Sequence, residues 1–312
     1  MNVVFFGTPD FAVESLDAIV KSQRHKVCAV VTVPDRQAGR GQKVIFSAVK
    51  QYAVDAGLPL LQPERLRDEE FLQQLASLGA DIFVVVAFRM LPEVVWAMPP
   101  HGTFNLHASL LPLYRGAAPI NWAIINGAKE TGVTTFLLNH KIDEGEILMR
   151  ETTPVSDHET AGSLHDRLAN MGRELVVKTL DGLADGTIHP TPQQGQPCAA
   201  PKIFKDDCRI DFSRTSAEID RFVRGLAPYP AALMTLTSPG GEKTLFKVFE
   251  TSPETAPDSI PGQLYCDDKK ELKIGTADGF VRILSLQMSG KKRNSIEEFL
   301  RGNKLTNWTT GV

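Results

Sequence analysis

Cysteine is scarce: the 312 residues hold four, Cys28, Cys198, Cys208 and Cys266, far apart and with no C-x-x-C pair. That argues against a disulfide framework or a zinc site and fits a reducing cytoplasm, so no metal is expected. No apolar run approaches the roughly 20 residues of a membrane-spanning helix. Met1-Asn2-Val3-Val4-Phe5-Phe6-Gly7 opens without the basic residues of a secretory signal. An excess of one charge is missing too, with 34 Lys and Arg against 37 Asp and Glu and a net charge of −3. From Arg209 onward there are 15 basic residues against 13 acidic, and before it 19 against 24. Affinity for nucleic acid would therefore need local clusters rather than bulk charge. Phosphate-cradling glycine motifs are absent as well. The first turn reads Gly7-Thr8-Pro9-Asp10-Phe11, without the second and third glycines of G-x-G-x-x-G, which argues against a nicotinamide enzyme.

What is present is an ordinary globular composition, 42% hydrophobic and 23% charged, in a chain long enough for two domains. Apolar runs at 2–6, 27–33, 81–87, 103–106 and 133–138 alternate with helical stretches. Continuous apolar strands separated by helices predict a doubly wound α/β domain with a parallel sheet covered on both faces. Leu164, Leu168, Met171, Leu175 and Leu180 predict an amphipathic helix over 161–183. The polar, proline-rich stretch 189–197 packs no core and marks a linker. The expected division is 1–188, a linker at 189–208, and 209–312. In the last part Thr215-Ser216-Ala217-Glu218 is a capping-box sequence ahead of Ile219, Phe222, Val223 and Leu226. Short strand-like runs at 232–236, 244–249, 263–265, 271–275 and 281–286 then suggest a small OB-like barrel.

Chemistry points to Asn105-Leu106-His107-Ala108-Ser109-Leu110-Leu111-Pro112-Leu113-Tyr114-Arg115-Gly116-Ala117-Ala118-Pro119. Strand alternation puts Asn105 and His107 on one face at the carboxyl end of a strand, where open α/β sheets bind ligands. Either alone would read as a hydrogen bond to a loop carbonyl. Asp143, in Ile142-Asp143-Glu144-Gly145 after another strand, adds a carboxylate at the same rim. An amide, an imidazole and a carboxylate suit acyl transfer to an amine: the amide stabilises the oxyanion, the imidazole handles protons, and the carboxylate sets its charge and tautomer. Ser109 reads as a turn or cap residue rather than a nucleophile.

Asn105-x-His107 with Ser109-Leu110-Leu111-Pro112 and Arg115-Gly116-Ala117-Ala118-Pro119 resembles the methionyl-tRNA formyltransferases. The resemblance extends over most of the chain, to Gly7-Thr8-Pro9-Asp10-Phe11-Ala12, the segment from Pro34 to Gly41, Asp143-x-Gly145 and Ser289-Gly290-Lys291-Lys292. It implies a Rossmann-like catalytic domain, an OB-like carboxyl-terminal barrel, and formyl transfer from 10-formyltetrahydrofolate to the amino group of initiator methionyl-tRNA. It assigns catalysis to Asn105, His107 and Asp143. The folate pocket falls to Phe88, Arg89, Met90 and Leu91 with Ser109, Leu110, Leu111 and Pro112. Arg89 is a departure, since many members have glycine after the aromatic residue there, and Arg cannot offer a positive φ cheaply. For tRNA the resemblance selects the loop 34–44 with Arg36, Arg40 and Lys43, then Arg115 and the Lys291-Lys292-Arg293 patch. The loop is expected to order on phosphates, and the protein is expected to be a cytoplasmic monomer.

Two other readings stay open. A small sugar or ribonucleotide amine could be the acceptor, though it gives the second domain and the basic loop no obvious task. A non-catalytic tRNA binder could retain the fold, though it need not keep Asn105, His107 and Asp143 together.

Overall fold

The computed structural model describes residues 1–38 and 43–310, without the side chains of 37, 38, 43 and 44. It divides into two compact units. One comprises Met1–Pro119, Glu130–Pro154 and His165–Ala200, the other Ile120–Lys129, Val155–Leu164 and Pro201–Val312.

In the first unit the chain runs through β1 (Asn2–Gly7), α1 (Asp10–Ser22), β2 (Lys26–Val31), β3 (Arg36–Ala38), β4 (Lys43–Ile45), α2 (Ala48–Asp55), β5 (Leu60–Leu61), α3 (Glu69–Ser77), β6 (Ile82–Val86), α4 (Glu93–Trp96), β7 (Thr103–His107) and β8 (Arg115–Gly116). After α5 (Pro119–Ile125), which counts almost wholly with the second unit, come β9 (Glu130–Leu137), β10 (Ile147–Pro154), α6 (Ala161–Ala184) and β11 (Ala199–Ala200). Seven strands form one sheet in the order β10-β9-β7-β6-β1-β2-β5.

The sheet is parallel from β7 to β5. The run at 133–138 corrects the all-parallel expectation, because β9 lies antiparallel to both β7 and β10. A parallel return needs a crossover of a dozen or more residues packed on the sheet. The helix between β7 and β9 is only 7 residues long and belongs to the other unit, so the strand comes back in the opposite sense.

Both faces of the central strands are covered, which is why they read as continuous apolar runs. On one face Val4, Phe6, Phe83 and Val85 pack with Phe71 and Leu75 of α3 and Val95 of α4. On the other, Gly172 of α6 approaches β7 so closely that a Cβ would stand 2.5 Å from Leu106 Cδ2. The Thr135 and Thr179 hydroxyls, on β9 and α6, bond at 2.9 Å. Phe5, Phe6, Phe83, Phe104 and Phe136 are fully buried, each contributing about 1.5–3 kcal/mol by area.

The stretch 189–200 behaves differently from a free linker. Thr191 and Ile147 exchange backbone hydrogen bonds of 2.7 and 2.9 Å, and β11 pairs in parallel with β8. These ties are made by backbone, so neither composition nor periodicity signals them.

The second unit holds α7 (Ser216–Leu226), β12 (Ala232–Thr237), β13 (Lys243–Thr255), β14 (Leu264–Cys266), β15 (Leu272–Gly275), β16 (Gly279–Met288), β17 (Asn294–Ser295), α8 (Ile296–Gly302) and β18 (Thr309–Thr310). The capping box forms: Thr215 accepts from the Glu218 amide, and Glu218 accepts from the Thr215 amide. The strands make an antiparallel sheet in the order β14-β15-β16-β13-β12-β18. Its two ends approach where Thr310 Oγ1 donates to the Gly262 carbonyl at 2.5 Å, so the barrel is nearly closed. Register shifts between Val248 and Thr251 bend the long strand β13. Phe246, Val248, Ile274 and Val281 fill the interior together with Val223 and Leu226 of α7 and Phe299 and Leu300 of α8.

Candidate active site

On β7, Phe104 and Leu106 are buried, and Asn105 and His107 project from the opposite face at the strand's carboxyl end. Asn105 is half-buried, between Val85 of β6 and Phe136 of β9 in register. His107 is 6% exposed, with the Phe136 ring edge-on at 6.5 Å between centroids. Its Nε2 lies 2.8 Å from the Tyr114 carbonyl. A carbonyl oxygen can only accept, so Nε2 carries the proton and Nδ1 is the free ring nitrogen of the neutral form. That Nδ1 stands 3.8 Å from Asp143 Oδ2. The tautomer is thus fixed by a backbone carbonyl, where the sequence reading gave that task to the carboxylate.

Asp143 is held by the turns around it. Its φ is 54°, a left-handed conformation that Asp tolerates better than most residues. Oδ2 accepts the Gly116 amide at 2.9 Å. Gly116, at φ +127°, has the Ala200 carbonyl oxygen 2.5 Å from where a Cβ would be. Two residues beyond Asp143, a Cβ on Gly145 would sit 1.6 Å from the Leu137 oxygen. The Asp-x-Gly spacing is therefore steric: only glycine lets the chain pass β9 there. Gln193 clamps the same turn, donating Nε2 to the carbonyls of Asp143 and Gly145 at 2.8 and 2.9 Å. Its Oε1 accepts from Arg115 Nη2 at 2.7 Å, and Arg115 Nη1 pairs with Glu144 at 3.2 Å.

The segment after His107 is a buried turn. Ser109 is fully buried and donates Oγ to the Leu113 carbonyl at 2.5 Å, as a turn residue would. Thr134 ties it to β9, donating to the Ser109 carbonyl at 2.6 Å and accepting the Leu111 amide at 3.2 Å. The Arg150 guanidinium donates to the Leu111 carbonyl. Leu111 and Pro112 are buried and Leu110 half-buried. Past β6, Phe88 packs edge-on against Phe6 at 5.7 Å, Met90 is exposed and Leu91 is buried. The positive φ expected near Arg89 falls instead on Ala87, at 47°.

Residues 1–180 match the family model described as formyl transferase, and residues 202–304 match the model for the formyl transferase C-terminal domain. The chain belongs to the formyl transferase family. It is 50% identical over 312 residues to a methionyl-tRNA formyltransferase of Bacteroides fragilis, covering 98% of this chain and 96% of that one. Among solved structures it resembles the N-formyltransferase from Helicobacter canadensis, in complex with folinic acid and dTDP-3-aminofucose. The TM-score is 0.64 at 21% identity, with 94% and 99% of the two chains covered. HypX from Aquifex aeolicus, in complex with tetrahydrofolic acid, gives a TM-score of 0.62 at 19% identity over 96% of this chain and 46% of that one.

In this formyl transferase one of the residues expected at tRNA, Arg115, adjoins the turn that carries Asp143. Arg36 is exposed on β3, which pairs with β4 as a short ribbon. Arg40 lies outside the described residues, as does the side chain of Lys43. Asp35, the acid of that loop, is paired with Lys50 at 2.5 Å and accepts from Gln62 at 2.9 Å. The Lys50 contact first, then Gln62, holds its carboxyl below the usual range. Arg115 is engaged by Gln193 and Glu144, as above. Lys291 and Lys292 are exposed. Arg293 stacks on Phe249 at 4.5 Å and donates Nε to Ser285 at 2.7 Å. Sequence reasoning missed Tyr114, Gln193 and Thr134. The first acts through its carbonyl, Gln193 sits in a stretch that reads as linker, and Thr134 lies inside an apolar strand.

Proposed function

We propose that the chain transfers the formyl group of 10-formyltetrahydrofolate to the free amino group of initiator methionyl-tRNA, in the cytoplasm and as a monomer. The observation that carries this reading is the convergence of Asn105, His107 and Asp143 at the carboxyl end of one sheet, in a chain 50% identical to a protein of that name over nearly its whole length. The amine attacks the formyl carbon and the carbonyl oxygen becomes an oxyanion. The Asn105 amide donates to that oxygen. His107 Nδ1, with Asp143 Oδ2 3.8 Å away, takes the proton released by the attacking nitrogen. The tetrahedral intermediate then collapses, breaking the bond to N10 of the folate, which leaves with a proton.

10-Formyltetrahydrofolate is the co-substrate, held by the turn 109–112 and the segment 88–91. Lys291, Lys292, Arg36 and Arg40 hold the tRNA. The test is transfer of labelled formyl to methionyl-tRNA, compared with sugar and ribonucleotide amines. Label entering only a small amine, or none entering any acceptor from a folded protein, would overturn the reading.

A further inference from the structure

One row of side chains crosses three strands and meets the turn that follows His107. In register, His107 of β7 stands opposite Thr134 of β9, and Thr134 stands opposite Arg150 of β10. Partners in register share a face of the sheet, so Thr134 and Arg150 lie on the face that carries His107. Thr134 is fully buried and its hydroxyl is used twice: it donates to the Ser109 carbonyl at 2.6 Å and accepts from the Leu111 amide at 3.2 Å. Arg150, on the outermost strand, reaches past β9 and donates Nη2 to the Leu111 carbonyl. Both backbone polar groups of Leu111 are thus taken by side chains of the sheet. Leu110 rests on β9 as well, since a Cβ at Gly132 would stand 2.7 Å from Leu110 Cδ2.

The sheet does not need these ties, because β9 and β10 complete their ladder through backbone groups. Arg150 pairs with no carboxylate among the described residues, and burial lowers its pKa. Drawing a cation partly out of water for one carbonyl is a costly way to hold a strand, but a direct way to aim a turn. That turn, 109–112, is the one assigned above to folate. We infer that Thr134 and Arg150 are positioning residues for the formyl donor, fixing the Leu111 peptide so that the turn offers the folate one surface beside His107. The inference rests on the folate reading under Proposed function. Neither side chain touches the reacting atoms; the single Thr134 hydroxyl proton is already given to Ser109. A turn released from them samples several conformations, and donor affinity falls by the fraction that remains competent. Bound donor then holds the turn itself, so the loss falls on KM more than on kcat.

The test is steady-state kinetics of the full chain, varying 10-formyltetrahydrofolate and methionyl-tRNA separately, with thermal midpoints read alongside. Arg150→Met keeps an unbranched stem and removes the donor. Its KM for the folate should rise about tenfold, the scale of one hydrogen bond made by a charged group. That rise should exceed any fall in kcat and leave the KM for tRNA unchanged. Arg150→Lys keeps a donor and should recover most of the affinity. Thr134→Ser keeps the hydroxyl and should stay near the parent, while Thr134→Val should raise the folate KM further than Arg150→Met. Where Thr134→Val does not fold, Arg150→Met still decides, because Arg150 is an exposed position. Calorimetry with tetrahydrofolate alone should show the same tenfold loss in Arg150→Met. An unchanged folate KM in that variant, with or without a lower thermal midpoint, overturns the inference and leaves the folate reading intact. A rise in the KM for tRNA instead assigns Arg150 to phosphates, and the inference is then wrong. Absence of transfer by the unaltered protein removes the folate reading and the inference with it.

Discussion

His107 Nδ1 and Asp143 Oδ2 face each other across 3.8 Å, and each is fixed from behind by backbone. The Tyr114 carbonyl holds Nε2 at 2.8 Å and the Gly116 amide holds Oδ2 at 2.9 Å. The gap is too wide for a direct hydrogen bond. It leaves two proton-accepting atoms, one of them on a ring whose other nitrogen is committed, aimed at a common space.

From this arrangement, His107→Ala and Asp143→Ala should each lower the rate of formyl transfer by about 10²–10⁴. Asn105→Ala should lower it by about 10²–10³. Single-turnover rates with saturating donor, read beside thermal midpoints, check both the loss and the integrity of the fold. Near-normal rates in all three variants would remove the site from consideration.

Gly145→Ala tests the turn rather than the chemistry. With the Leu137 oxygen 1.6 Å from the new Cβ, either β9 or the Asp143 turn must shift. Overpacking of this kind typically costs about 1–3 kcal/mol. Denaturant unfolding should show a loss in that range, and turnover should fall further than stability alone explains. A variant with unchanged stability and activity would mean that the turn passes β9 with more room than the geometry gives it.

How much of this was legible beforehand depends on what each residue displays. Val3–Phe6 and Ile82–Val86 announced buried strands because both faces of each are covered. Thr215 and Glu218 announced a helix start because their side chains do the capping. Asn105 and His107 were legible from alternation at a strand end. The antiparallel sense of Glu130–Leu137 was not, since strand direction depends on the connection before it. Gln193 was hidden for another reason: one amide in a proline-rich stretch carries no pattern, and its role comes from two carbonyls 48 and 50 residues away.

Gln193 can be separated into its two functions. Gln193→Glu keeps an acceptor for Arg115 but loses the donor to the Asp143 and Gly145 carbonyls. Gln193→Ala loses both. If the clamp positions Asp143, both variants should lower kcat by about 10²-fold at most, the cost of a small misplacement, and Glu should not rescue. Steady-state kinetics with saturating folate decide it. Full activity in Gln193→Glu would show that the Arg115 contact, rather than the clamp on the turn, is what matters.

His25 gives a pH dependence outside the site. Its side chain is fully buried between the amino terminus, 3.3 Å from Nδ1, and Asp181, 3.0 Å from Nε2. Burial lowers its pKa below the usual 6.5, and Asp181 offsets this only in part. Between the folded and unfolded values the unfolded chain binds the proton more readily. The contribution is therefore complete above about pH 6.5 and is lost as pH falls through the folded value. Unfolding free energies from pH 7.5 to 5 should decline less steeply for His25→Gln than for the parent. Parallel curves would mean that His25 does not titrate on unfolding.

Lys292 and Arg293 are neighbours with different expected roles. Lys292 is exposed and makes no hydrogen bond or ion pair among the described residues. Its removal should leave stability within about 0.5 kcal/mol. If it meets a tRNA phosphate, Lys292→Ala should also reduce the salt slope of binding by about one and weaken initiator and elongator tRNAs alike. Arg293 is anchored to the barrel by the Phe249 ring and the Ser285 hydroxyl. Stacking on an aromatic face contributes about 0.5–1 kcal/mol at exposed sites, and the hydrogen bond a comparable amount. Arg293→Ala should therefore lower the thermal midpoint whether or not tRNA is present, whereas Lys292→Ala should not. Arg293→Lys discriminates further: it keeps the charge for a phosphate but loses the planar stack and the Nε donor. It should bind tRNA almost as the parent does and still be less stable. Equal effects of Lys292→Ala and Arg293→Ala on both stability and salt slope would erase the distinction, leaving one undivided basic patch.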